Sequence, residues 1–426
     1  MSKVFNEDLV ASVAREMKVA DLQNATIGDI LLVASRLEEL TGIPFIRMDQ
    51  GSPGLPANRI GIEAEKAALD KGLGAQYPAA AGVPELKEAA SRFVKAFIDI
   101  DISPRACLPT TGSGNSPTVH SVRLLHAPSA FREKTKSYSL ILVSRSRSHS
   151  YVSWAFAGNC LIFMIFADRH CVIRWKNILK TVILLPLSIL IPITRHGFAW
   201  KNDAVVMEDQ AYFCMDFRHP FGRPYQAPFV PTVARYTDNY ILMLSASKIF
   251  SYAGQRIALA CVSDKLFDKQ YPALAERYED SGVFGPTFIA SIMYMITSGC
   301  TATTQYGMAE MLNRSVDGTI NFVEDTREYE RRAARMKKIF TDNGFTIVYD
   351  HDVTQPVGDG FFFTLGYPGM TGGELLCELM YYGVSSISLS TTGSEQQGVR
   401  ACTSRMREEL YPTLEERMKA FHEDHL

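Results

Sequence analysis

The chain has 426 residues, 46% hydrophobic and 21% charged, which excludes a disordered polymer and leaves room for two or three buried cores. Its 44 basic residues nearly balance 46 acidic ones, so no overall basic field marks nucleic acid as the partner. Eight cysteines without a C-x-x-C pair argue against a zinc site or a disulfide framework, and no metal is expected.

The N-terminal residues 1–21 mix both charges and lack the apolar run of a signal peptide, so a cytoplasmic protein with no membrane partner is expected. Apolar spacing predicts a helix over 27–40 and a short strand within 43–50, followed by a Gly/Pro loop at 51–56. Further helices are expected over 60–72 and 83–97. Past residue 200, buried strands are expected at 204–213, 240–245 and 257–264. A long charged amphipathic helix is expected over Val323–Asn343. The C-terminal part alternates short strands (345–350, 360–365, 384–390) with helices over 372–383 and 413–424. Strands alternating with helices predict an α/β architecture.

Residues 114–200 break this pattern. They hold eleven basic residues against two acidic ones, a local balance of +9, while the rest of the chain carries −11. Five of the nine histidines fall here, and amphipathic periodicity is poor. The apolar runs 160–166 and 182–193 are well short of the ~20 residues that span a bilayer. A basic insertion for phosphate-rich partners such as nucleic acid is disfavoured, membrane segments more so, and nucleic-acid binding is the least favoured function of the whole chain. Translation out of frame is preferred, because reading the possible codons of 188–197 two bases later permits Tyr-Ser-Asn-Pro-Asn-Asn-Pro-Ser-Trp, a protein-like turn.

The chemistry is carried by residues 244–256, Leu-Ser-Ala-Ser-Lys-Ile-Phe-Ser-Tyr-Ala-Gly-Gln-Arg. Lys248 lies at a strand end among hydroxyls, eight residues before Arg256, a setting that favours a nucleophilic amine and Schiff-base chemistry. Ser245, Ser247 and Arg256 suit a phosphate. Asp209 closes an apolar strand, where a carboxylate is costly unless paired. A pyridinium nitrogen would pair it, with Tyr212 in reach of the same ring.

On these residues the chain resembles the fold-type I, class I/II aminotransferases, which use pyridoxal 5'-phosphate. The resemblance extends to Tyr77, Gly82 and Leu86 (Tyr-x4-Gly-x3-Leu), to Thr111-Gly112-Ser113, to Gly51-Ser52-Pro53 and to Arg400. It implies Lys248 as the Schiff-base lysine and general acid/base, Asp209 on the pyridine nitrogen and Tyr212 on the ring hydroxyl. It implies Ser245, Ser247, Arg256, Gly112 and Ser113 on the phosphate, and Tyr77 reaching the phosphate of a neighbouring subunit. Arg400 would clamp the substrate α-carboxylate, Gly51 would lie on a loop over substrate, and Phe361 would line the side-chain pocket or serve as strand core.

The implied fold is a large domain (51–319, containing the aberrant 114–200) with a mostly parallel, seven-stranded-type sheet flanked by helices. A small α/β domain would be built from 1–50 and 320–426. The implied activity moves an amino group between an amino acid and a 2-oxo acid in a homodimer. No arginine lies between Arg277 and Arg314, which disfavours a strict aspartate/glutamate preference. A C–S lyase with the same cofactor, or an inactive frameshifted relative, is the alternative.

Overall fold

The computed structural model describes residues 3–112, 138–143, 161–166, 171–173, 183–185, 205–352, 355–357 and 360–426, with the four stretches between 138 and 185 described as backbone. The central feature is a six-stranded sheet. Its spatial order is Cys107–Thr110, Ala258–Val262, Tyr240–Ser245, Val205–Gln210, Tyr138–Val143 and Leu161–Phe166. Ala258–Val262 runs antiparallel to both neighbours, and the other pairings are parallel. Tyr240–Ser245 and Ala258–Val262 are buried along their whole length, which is why they read as near-continuous apolar runs rather than alternating ones, whereas Val205–Gln210, equally buried, opens on Val-Val-Met and ends on the polar Glu208, Asp209 and Gln210.

Two stretches inside the anomalous segment, Tyr138–Val143 and Leu161–Phe166, thus supply strands to this sheet, and two more, Cys171–Ile173 and Ile183–Leu185, pair with each other. Tyr138–Val143 joins Val205–Gln210 in parallel, with Val143 opposite Asp209. The first two stretches are short apolar runs bounded by polar residues, the composition from which a buried parallel strand is built. The Asn-Pro turn sought near 188–197 lies outside the described residues.

Helices flank the sheet. Pro84–Ile98 begins with proline at its first turn, where a missing N–H costs nothing, and buries Leu86, Ala89, Ala90, Phe93, Val94 and Phe97 at helical spacing. It packs with Ala302–Val316, a helix the sequence reading passed over, which packs in turn on Arg59–Asp70. Side chains from 86 to 329, joined by Phe361, Phe362 and Cys402, form one hydrophobic core. A second core gathers residues from both chain ends, Phe5 to Met48 and Met336 to Phe421. It lies against a four-stranded antiparallel sheet in the order Thr346–Ile347, Phe362–Gly366, Val399–Cys402, Ile387–Ser388.

Three expectations change in detail. The strand sought over 384–390 divides into Val384–Ser385 and Ile387–Ser388, which join different sheets. The single helix over Val323–Asn343 is broken into Phe322–Thr326 and Glu328–Asp342. The Thr326 hydroxyl donates back to the Phe322 carbonyl at 2.7 Å, the kind of bond that bends a helix. The strand sought within 43–50 contracts to Ile46–Arg47, which pairs in parallel with Val384–Ser385. Pro44, which has no N–H to give a ladder, limits its start. No helix among the described residues is long and apolar enough to cross a membrane, and no metal-holding cluster occurs among them.

Candidate active site

The register of the large sheet brings four predicted residues to one edge. Ala258 is opposite both Thr110 and Ser245, so Gly112, Arg256 and Ser245 leave the sheet side by side. Gln210 is opposite Leu244, which puts Asp209 one strand away. This edge is the C-terminal end of the parallel strands, where α/β sheets place their ligands.

Ser245 ends its strand in extended conformation and caps the short helix Ala246–Ile249, its hydroxyl accepting from the Ser247 amide at 3.2 Å. Both serines are buried. One turn on, Lys248 is half-buried, and its Nζ donates to the Gly51 carbonyl. The same nitrogen is 5.1 Å from the Phe361 ring centroid and 5.7 Å from that of Tyr212. Tyr212 packs edge-on against Phe361 and Phe362 at 5.3 and 5.6 Å. A side chain on Gly51 would strike the Phe362 ring at 2.6 Å and come within 3.6 Å of the Tyr212 hydroxyl, so only glycine fits between them.

Asp209 is 9% exposed, and its Oδ1 accepts the Ala211 amide at 3.0 Å. Strand alternation turns the neighbouring Glu208 to the opposite face. There Glu208 accepts from Thr232 Oγ1 (2.7 Å), the Val233 amide (3.1 Å) and Gln210 Nε2 (2.8 Å). Burial nevertheless pushes its carboxyl up to about 7, the three donors offsetting only part of the lost hydration.

Arg256 has a left-handed backbone (φ 49°), and its Nη1 donates to the Ala253 carbonyl at 2.9 Å. Its Nη2 occupies the space that a Cβ on Gly112 would need, 2.6 Å away. Gly112 itself sits at φ +134°, a conformation open to glycine. A guanidinium laid against a bare backbone turn is a cradle shaped for an anion, and it fits a phosphate.

Arg400 comes from the other core yet reaches the same region. It lies on the strand Val399–Cys402 and is 2% exposed. Its Nη2 donates to the Asp49 carbonyl at 2.5 Å, and its guanidinium stacks 5.0 Å from the Phe362 ring. The loop after Asp49 is also tied to the residues that follow this strand, the Ser404 hydroxyl donating to the Ser52 carbonyl.

The structure therefore clusters Lys248, Tyr212, Phe361 and Gly51, and separately Arg256 with Gly112, on adjoining strand ends. Tyr77 is 96% exposed, unlike the buried and half-buried residues clustered with Lys248. Ser113 lies outside the described residues. Phe361 is fully buried against Tyr329 at 4.8 Å as well as near Lys248, so it is core and site wall together. Sequence reading missed Phe362, Tyr329 and Asp49. Phe362 had a visible signal in the triple phenylalanine 361–363, whereas Tyr329, whose hydroxyl accepts the Gly54 amide at 3.2 Å, was hidden in a charged helix.

No protein-family model and no curated protein matches the chain. Solved structures do. A double mutant of Thermus thermophilus aspartate aminotransferase superposes with a TM-score of 0.65 at 18% identity, over 93% of this chain and 96% of that one. An aminotransferase from Mycobacterium tuberculosis gives 0.65 at 14% identity over 93% and 96%. Alanine aminotransferase from Pyrococcus furiosus gives 0.64 at 16% over 93% and 97%. The chain has the fold of the fold-type I aminotransferases.

Proposed function

We propose that this chain is a pyridoxal 5'-phosphate-dependent aminotransferase that exchanges an amino group between an amino acid and a 2-oxo acid. The single observation that carries the reading is the convergence at one sheet edge of an amine (Lys248), a buried carboxylate (Asp209) and a guanidinium against a bare glycine turn (Arg256 on Gly112). These are the three chemistries needed to hold a phosphorylated pyridine aldehyde. The shared fold supports it.

In this reading Arg256, Gly112, Ser245 and Ser247 hold the phosphate, Asp209 the ring nitrogen and Tyr212 the ring hydroxyl. The bound cofactor supplies an electron sink for charge developing at the substrate Cα. The chain supplies the rest. Arg400 binds the α-carboxylate and so orients the Cα–H bond. Lys248, on a short turn, would take the proton from that carbon of the amino acid in one half-reaction and deliver a proton to the corresponding carbon of the second substrate in the other. Phe361, Phe362 and Tyr212 keep water from the amine and strengthen the ionic contacts around it. Aromatic walls, and the lack of an arginine between 277 and 314, favour a neutral side chain on the substrate.

We assign 1–50 with 320–426 to a small domain and 51–319 to a large one; two buried cores support a two-part division, the core of the large part continuing through Ile320, Phe322, Val323 and Tyr329. A homodimer in the cytoplasm, with Tyr77 crossing to the second subunit, completes the proposal. The out-of-frame origin of 114–200 is proposed on its charge and composition. One-base changes near the codons for Ser113 and Trp200 in the gene would establish it, and an unbroken frame shared with related genes would refute it.

The test of function is spectroscopic. Purified chain with added pyridoxal phosphate should develop a visible absorption band that borohydride bleaches and that Lys248→Ala lacks. Folded protein without such a band would refute the enzymatic reading and favour an inactive relative.

A further inference from the structure

Asp49 lies outside every motif the sequence offered, yet it is fully buried at the junction of the two cores. Its carboxylate takes a two-pronged grip from Arg47, Nε to Oδ1 at 3.0 Å and Nη2 to Oδ2 at 3.2 Å. Ser385 adds a hydroxyl to Oδ1 at 2.5 Å. Arg47 is itself anchored by Glu38 at 3.1 Å and by the Ser35 hydroxyl at 3.3 Å. Burial pushes the Asp49 carboxyl up, but these donors outweigh it and hold it below the ordinary range.

Such a network fixes the peptide of residue 49 in space, because a buried bidentate pair has one good geometry. That peptide's carbonyl is the acceptor for Arg400 Nη2. Two residues on, the Gly51 carbonyl receives Lys248. Phe362 stacks on the Arg400 guanidinium and blocks a side chain at Gly51, so ring, loop and arginine are mutually keyed.

We propose that Asp49 is a positioning residue: its side chain, locked by Arg47 and Ser385, sets the carbonyl that aims Arg400 at the substrate carboxylate. The proposal rests on the reading of Arg400 as the carboxylate clamp. Arg400 presents five N–H donors in a rigid fork, and one spent on a fixed carbonyl leaves the plane of the rest determined. Loosening residue 49 therefore weakens carboxylate binding while leaving the phosphate cradle, built on other strands, intact.

The experiment measures two dissociation constants on the pyridoxal-phosphate-loaded protein: that of the cofactor, and that of 2-methylalanine, an α-carboxylate amine without an α-proton, read from the visible spectrum. Asp49→Asn is expected to weaken 2-methylalanine about tenfold and to leave cofactor affinity within about twofold. The double variant Arg47→Gln with Asp49→Asn, which removes both charges of the buried pair and leaves only the part-exposed Glu38 without its arginine, should behave the same and guards against misfolding. Ser385→Ala should weaken it by a smaller factor. Arg400→Lys should weaken it more, and Asp49→Asn added to Arg400→Lys should add nothing. Loss in Arg400→Lys with none in the Asp49 variants would overturn the proposal alone. So would full additivity of the two. No loss in Arg400→Lys would overturn the clamp reading and the proposal together.

Discussion

The guanidinium of Arg256 fills the space that a side chain at Gly112 would need, 2.6 Å from the Cβ position. The two residues are 144 apart in the chain, and the antiparallel register that sets Thr110 opposite Ala258 brings them together. The phosphate cradle is thus a product of strand pairing, and its parts fail together.

Gly112→Ala makes this testable. It adds strain at φ +134°, costing about 1–3 kcal/mol, and drives Arg256 from its place. Cofactor affinity should fall at least tenfold, measured by spectral titration, with a smaller loss of thermal stability. Unchanged affinity would mean the anion sits elsewhere.

Tyr77 offers the opposite pattern. At 96% exposure its removal should cost the single chain under about 0.5 kcal/mol. If its hydroxyl reaches a second subunit's phosphate, Tyr77→Phe weakens cofactor binding several-fold while the melting temperature stays put. Equal cofactor affinity in both proteins would remove Tyr77 from the site.

Glu208 predicts a pH dependence of stability. Its carboxyl titrates near 7 when folded and in the ordinary range when unfolded, so the folded state binds the extra proton between those values. The stability it contributes is complete below the unfolded pKa and is lost as pH rises through about 7. Urea unfolding of wild type and Glu208→Gln at pH 5 and pH 8 should show the wild type losing on the order of 3 kcal/mol more over that interval. Parallel pH profiles would contradict this.

Five described cysteines should be inert in the native state. Burial pushes the thiols of Cys214 and Cys402 up, and those of Cys300 and Cys377 to about 12. At Cys261 a hydrogen bond with Cys107 does so first and burial second. At pH 7.5 none should react with Ellman's reagent until denaturant is added, as mass mapping of labelled peptides would show. Rapid native labelling of any of them would mean that its core opens.

Much of this molecule was legible in its letters. The strand bearing Ser245 is a near-continuous apolar run, the strand bearing Asp209 opens on one, and the helices 27–41, 59–70 and 84–98 carry a 3.6-residue period; these are local properties that burial enforces wherever the chain goes. Lys248 was legible for the same reason, because its serines, lysine and arginine fall within one strand–turn–strand unit of 13 residues. The break in the helix at 327 and the short strand at 46–47 were not, since single side-chain bonds and a distant partner strand decide them.

Asp49 marks the boundary most clearly. Its hydroxyl donor Ser385 lies 336 residues away, and the arginine it aims lies 351 residues away. Nothing in the pattern around residue 49 encodes either partner. Composition and periodicity decide which segments become strands and helices, because those depend on neighbours a few residues off. The meeting of the loop 49–54 with Lys248 and Arg400 depends on how two cores close on one another, and only the packed chain decides that.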